Sequence, residues 1–131
     1  MRSFLICGIA LIVACDPART VRFEIVPVAG VTADSALAIE ALQIAQTLAQ
    51  RYQMRPVRAY DACPSGGYFV QDSIGGRRLG LNFCVRPSSV GVEFRVVEII
   101  TSRWGPKGDA LRLALRDTLR THFGDAALHT K

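Results

Sequence analysis

A chain of 131 residues has room for one domain of ordinary size. Half of its residues are hydrophobic and 21% are charged, a balance that can bury a core and excludes a disordered chain. The formal net charge of +5, carried almost wholly by arginine, suits anionic partners but is also common among small soluble domains.

Arg2 and the free amine form a short positive region, and residues 4–14 are an unbroken run of apolar or small side chains that Asp16-Pro17 stops. The run has the length of a signal-peptide core and is too short to span a bilayer. It closes on Ile12-Val13-Ala14-Cys15, with an aliphatic residue at −3 and a small one at −1. This resembles the lipobox of bacterial lipoproteins. The resemblance implies that residues 1–14 are a signal peptide removed by signal peptidase II, and that the Cys15 thiol carries a diacylglycerol. The new amine of Cys15 would carry a further acyl chain such as palmitate. Two or three chains give durable anchoring where one does not. In enteric bacteria an aspartate after the lipidated cysteine signals retention, so Asp16 implies a protein held on the periplasmic side of the inner membrane. The resemblance covers about 16 residues and implies nothing about the fold behind them.

Residues 15–20 read as the lipidated N-terminus and a short tether, in which residues 16–20 reach roughly 17 Å when extended. The domain is therefore expected to ride close to the bilayer, with Arg19 and Arg22 within about two Debye lengths of anionic headgroups. Cys7 leaves with the signal, so Cys63 and Cys84 remain. An even pair in an oxidising compartment reads as a disulfide, and its spacing matches no zinc site. Closing a loop of about 20 residues stabilises the fold by roughly 3 kcal/mol.

A single globular domain is expected over 21–124. Val21, Phe23 and Ile25 alternate with Arg22 and Glu24, which predicts a strand. Gly30, Thr32 and Asp34 then mark a turn and a cap. Over 35–52 the period becomes helical, with Leu37, Ala41, Ile44, Ala45, Leu48 and Tyr52 on one face. Met54-Arg55-Pro56 ends that helix. Residues 68–72 read as a strand followed by a loop at Ser73-Ile74-Gly75-Gly76.

Leu79, Leu81, Phe83 and Val85 then form a hairpin with Val90, Val92, Phe94 and Val96, paired Val85 to Val90 across Arg86-Pro87-Ser88-Ser89. Pairing Asp72 with Arg77 places Phe69 over Gly80 and brings Cys63 near Cys84. Proline at 106 and glycine at 124 bracket a last helix with Leu111, Ala114, Leu115, Thr118, Leu119 and His122 on its apolar face. Residues 125–131 read as a flexible tail containing His129. The expected fold class is α+β: a two-layer sandwich in the order β-α-β-β-β-α, with two helices on one face of a mostly antiparallel four-stranded sheet.

No residue pattern points to catalysis. There is no nucleophile elbow, phosphate-binding glycine loop or metal-spaced cluster, so no catalytic residue, metal or non-covalent cofactor is assigned. Asp61, Asp72, Glu93 and Glu98 could meet only through folding, and the expected register sets Glu98 near Arg77. The candidate partner-binding residues are Phe69 on the uncovered sheet face, Trp104 in the loop before the last helix, and Arg112, Arg116 and Arg120. Those arginines stand at i, i+4 and i+8, a stripe suited to phosphate headgroups or an acidic partner unless Asp109 and Asp117 neutralise it. Together these features describe a non-enzymatic lipoprotein, anchored in a bacterial membrane, that binds another cell-envelope component as an accessory subunit of a secretion, transport or envelope-assembly system. An envelope protein, and not nucleic acid, is the expected partner. Its alternatives are an inhibitor or immunity lipoprotein and, more weakly, a lipid or glycolipid binder.

Overall fold

The first strand is longer than its apolar alternation. β1 (Ala18–Ile25) pairs antiparallel with β5 (Val92–Ile99) along its whole length, from Ala18 opposite Ile99 to Ile25 opposite Val92. The structure is a computed structural model that describes residues 18–27, 35–59, 63–64, 66–99 and 103–131. The signal segment, Cys15, Asp16, Asp61 and the turn expected at Gly30, Thr32 and Asp34 lie outside the described residues.

Six strands, not four, form one antiparallel sheet in the order β2-β3-β4-β5-β1-β6. β3 (Gly67–Ile74) and β4 (Arg77–Pro87) are the expected strands, lengthened at both ends. β2 (Arg55–Val57) and β6 (Leu128–Thr130) are the additions, and both are edges. β2 contains Pro56, which a strand tolerates at a sheet edge, where one row of N–H groups goes unused. β6 corrects the expectation of a flexible tail. Lys131 and Arg22 exchange backbone hydrogen bonds of 2.8 and 3.3 Å, the Val26 N–H donates to the Ala127 carbonyl at 2.9 Å, and Ala127 is buried. With no apolar alternation of its own, this strand is held by the ladder β1 offers.

The hairpin registers also differ from expectation. Val85 lies opposite Phe94 and Phe83 opposite Val96, so β5 is shifted by four residues from the Val85–Val90 pairing. An even shift keeps every side chain on its face, so alternation cannot detect it. Space decides instead. Gly91 passes so close to the Ile25 carbonyl that any side chain there would collide with it, and the Gly91 N–H donates to Ser88 Oγ at 3.0 Å. The loop therefore sits at 88–91 and leaves Val90 exposed. Likewise β3 and β4 are joined by Gly75-Gly76 alone, with φ of 55° and 79°, the left-handed pair that a two-residue turn demands. Asp72 thus faces Leu79 rather than Arg77. Phe69 is opposite Asn82, yet its ring still covers Gly80, at 3.3 Å from where a side chain would begin.

Helix α1 (Ser35–Arg51) ends in a Schellman motif: Met54 N–H donates to the Ala49 carbonyl and Gln53 N–H to that of Gln50, with Gln53 at φ 56°. Helix α2 (Pro106–Phe123) has proline in its first turn and is capped at Gly124. α1 buries Ala41, Ala45, Leu48 and Ala49, and α2 buries Leu111, Leu115 and Leu119. Both pack on the sheet face formed by Phe23, Ile25, Leu81, Phe83, Phe94 and Val96. No helix of the described residues is long and apolar enough to cross a membrane.

Candidate functional site

Two acids occupy slots that the alternation reserves for apolar side chains. Asp72 follows Tyr68 and Val70 on the core face of β3, and Glu98 follows Val92, Phe94 and Val96 on that of β5. Both strands reach the same end of the sheet, and there α2 begins. Glu98 is fully buried and Asp72 is 4% exposed. The Gly105 N–H donates to Glu98 Oε1, the Gly108 N–H to Asp72 Oδ2 at 3.0 Å, and the Ser73 N–H to Asp72 Oδ1 at 2.8 Å. A carboxyl pair thus serves the opening turn of α2, where exposed N–H groups and the helix dipole favour negative charge. The approach is close enough to require glycine. A Cβ on Gly105 would collide with the Asp72 carboxylate, and one on Gly108 would lie 2.6 Å from Glu98 Oε2 and 2.9 Å from Trp104 Cε3.

The two carboxyls diverge in acidity. Burial, then the hydrogen bond and negative charge of Asp72, push Glu98 up to about 7 against the opposing Gly105 N–H. Burial also resists ionisation of Asp72, but hydrogen bonds from Glu98, Gly108, Ser73 and Lys107 outweigh it and hold that carboxyl below the usual range. Glu98 Oε2 has no hydrogen-bond partner among the described residues, and burial without one opposes ionisation of that carboxyl. The arrangement opposes ionisation of Glu98 and favours that of Asp72 beneath the start of α2.

This pair corrects the expected neighbourhood of Glu98, which lies across from Leu81 and Arg19 rather than near Arg77. Its signal was present in the sequence as an acid ending each of two apolar alternations. His122 is corrected too. It is exposed on the helix surface, stacks edge-on against Phe123 and pairs with Glu40 of α1, tying the helices together.

Cys63 and Cys84 form the expected disulfide, with Cα atoms 6.0 Å apart. The bridge passes over Gly67, which stands opposite Cys84 in the continued ladder and has no side chain to obstruct it. Phe69 is half-buried beneath the Arg55 guanidinium, 5.1 Å from its ring centroid. Trp104 is half-buried against the core, with Arg112 at 5.7 Å. The three arginines of α2 do not form a naked stripe. Arg112 pairs with Asp109, Arg116 with Asp117 at 3.0 Å, and Arg120 with Asp125 at 2.7 Å.

Among the described residues both helices cover one face of the sheet. The opposite face is divided. Toward the ends of β1 and β6 it is ionic, with Arg95 on Glu93 and Lys131 on the buried Glu24, each at 3.1 Å. The Lys131 hydrogen bond outweighs burial and holds Glu24 below the usual carboxylate range. Toward the other end the face is apolar, with a cavity of about 190 Å³ lined by Cys63, Asn82, Phe83, Cys84, Arg95, Val97 and Ile99. This is smaller than the roughly 300–1,000 Å³ of small-molecule sites. No cluster of three or more potential metal ligands occurs among the described residues. No family model matches the chain, and neither curated proteins nor solved structures include a significant match to it.

Proposed function

We propose that the chain is a membrane-anchored periplasmic lipoprotein that binds another envelope protein through the apolar half of its uncovered sheet face. The carrying observation is that both helices pack on the same side of the sheet, which leaves the cavity beside Cys63–Cys84, Val97 and Ile99 without a covering element among the described residues. An apolar concavity with an ionic border has the anatomy of a protein-binding patch. Lipidation at Cys15, retention through Asp16 and an oxidising location agree with the paired Cys63 and Cys84. The aspartate partners of Arg112, Arg116 and Arg120 weaken a lipid-binding role for that stripe. Non-enzymatic binding is the reading preferred over catalysis, because the pair of interacting carboxyls among the described residues is buried under Gly105 and Gly108.

The test is a photo-crosslinking residue placed at Asn82 or Val97, with Gln46 on the outer surface of α1 as control, in membranes of cells expressing the full chain. A single adduct of defined mass from the first two positions and none from Gln46 supports the reading. Adducts to lipid alone, or the same adducts from all three positions, would overturn it. A Cys15→Ser chain should lose both the acyl mass and the adduct.

A further inference from the structure

We propose that the sheet end carrying Arg77, Arg78 and Lys107 is a second contact surface, which lies on anionic phospholipid headgroups. The inference deepens the anchored-lipoprotein reading and rests on it for orientation. Ala18 pairs with Ile99, Ile99 with Gly80, and Gly80 with Gln71, so the start of β1, the end of β5 and the β3–β4 turn share one end of the sheet. Lys107 is fixed there through its Nζ, which donates to the Gln71 carbonyl at 2.9 Å. Arg19, next to Ala18, and Arg103, just before the Trp104 loop, belong to the same end.

What singles out this end is the fate of its acids. Asp72 and Glu98 are turned inward onto each other and onto the Gly105 and Gly108 amides. Asp109 is held by Arg112. Elsewhere several cations are held by carboxylates, as in Arg95–Glu93, Arg116–Asp117, Arg120–Asp125 and Lys131–Glu24. Arg77 and Arg78 follow the Gly75-Gly76 turn at the start of β4, are exposed, and have no ion pair with a carboxylate among the described residues. Asp16, two positions before Ala18 in the sequence, carries a single negative charge.

The occupant follows from distance and chemistry. Two residues lie between Cys15 and Ala18, three backbone steps with a reach of roughly 10 Å, comparable to the Debye length of about 8 Å at physiological salt. So short a leash leaves little room for a protein between this end and the bilayer. Guanidinium groups bind phosphate oxygens in pairs, which suits a headgroup layer. The partly exposed Ile99 and half-buried Trp104 lie at the same end, an aromatic and an aliphatic placed where interfacial side chains are favoured.

Trp104 is the only tryptophan in the chain and reports on this end directly. The acylated protein is reconstituted into phosphatidylcholine vesicles with and without phosphatidylglycerol, each containing a headgroup-nitroxide lipid, and Trp104 quenching is measured. Quenching several-fold stronger with phosphatidylglycerol is expected, lost in high salt and in R77E/R78E, and retained in R77K/R78K. Equal quenching in both vesicle types, or no effect of R77E/R78E in a chain whose circular dichroism is unchanged, would overturn the proposal. So would displacement of the protein from phosphatidylglycerol by an acidic polypeptide at equal charge, which would assign the surface to a protein partner. The mass of the Cys15 peptide separates the two readings. If it lacks acyl chains the anchor is refuted, and co-sedimentation of the same protein with the two vesicle types tests the basic end alone.

Discussion

Replacing Glu98 by glutamine should make the domain more stable at alkaline pH, although it alters a fully buried residue. Glu98 has its acidity displaced from 4.5 to about 7. At about 1.4 kcal/mol per pH unit this corresponds to about 3 kcal/mol of pH-dependent stability. The sign follows from which state binds the proton more tightly. Folded Glu98 does, so its contribution is complete below pH 4.5 and is lost as the pH rises through about 7. Asp72 acts in the opposite sense: its lowered pKa adds stability above its usual 3.8, and this is lost as the pH falls through its folded value. The wild-type optimum should therefore fall between these windows, in mildly acidic solution.

A glutamine at 98 would keep an oxygen for the Gly105 N–H and offer an amide N–H to Asp72, without a proton to lose. Urea unfolding of the two proteins from pH 5 to pH 8, with the disulfide intact, measures the difference. Wild type should lose up to about 3 kcal/mol across the range, and Glu98→Gln should lose little, so their curves cross. A flat wild-type profile, or an equal slope in the variant, would refute the raised pKa of Glu98 as the source of the pH dependence.

The close approach at α2 yields a second prediction. Gly108→Ala should destabilise by roughly 1–3 kcal/mol, because its Cβ would lie 2.6 Å from Glu98 Oε2. Helix propensity alone predicts a gain of about 1 kcal/mol, so the sign of the change in thermal midpoint decides between them. Deleting residues 128–131 should remove hydrogen-exchange protection at Arg22, whose amide bonds to the Lys131 carbonyl, and lower the urea midpoint. An unchanged exchange pattern would mean that β6 is not held against β1 in solution.

Much of the architecture could be read from periodicity, because burial dictates it. The helical face of α1, the Pro106 start and Gly124 cap of α2, and the alternation in β3, β4 and β5 are each written in one-dimensional pattern. The disulfide was legible from cysteine arithmetic. Pattern failed where it is degenerate. A four-residue slip of β5 preserves every face, and only the space at Gly91 excludes it. Three-residue edge strands such as Arg55–Val57 and Leu128–Thr130 carry too few alternations to register, and their pairing comes from backbone groups that every sequence has. The carboxyl pair required knowing that β3 and β5 finish at one end beneath Gly105, a relation between strands that are not neighbours in the sheet. His122 was misplaced because the helical stripe is narrower at its end, where α2 meets Glu40 rather than the sheet.

The position of β1 between β5 and β6 has a kinetic consequence. The first strand to be synthesised has as neighbours the last two, with Ala18 opposite Ile99 and Phe23 opposite Thr130. Such long loops must close before their contacts compensate the lost chain entropy, so folding should be slow for a domain of this size. Until then β1 has both edges open and is free to pair with other chains. A chain built this way gains from staying unfolded until its last residues emerge, as a protein threaded through a membrane before folding must do.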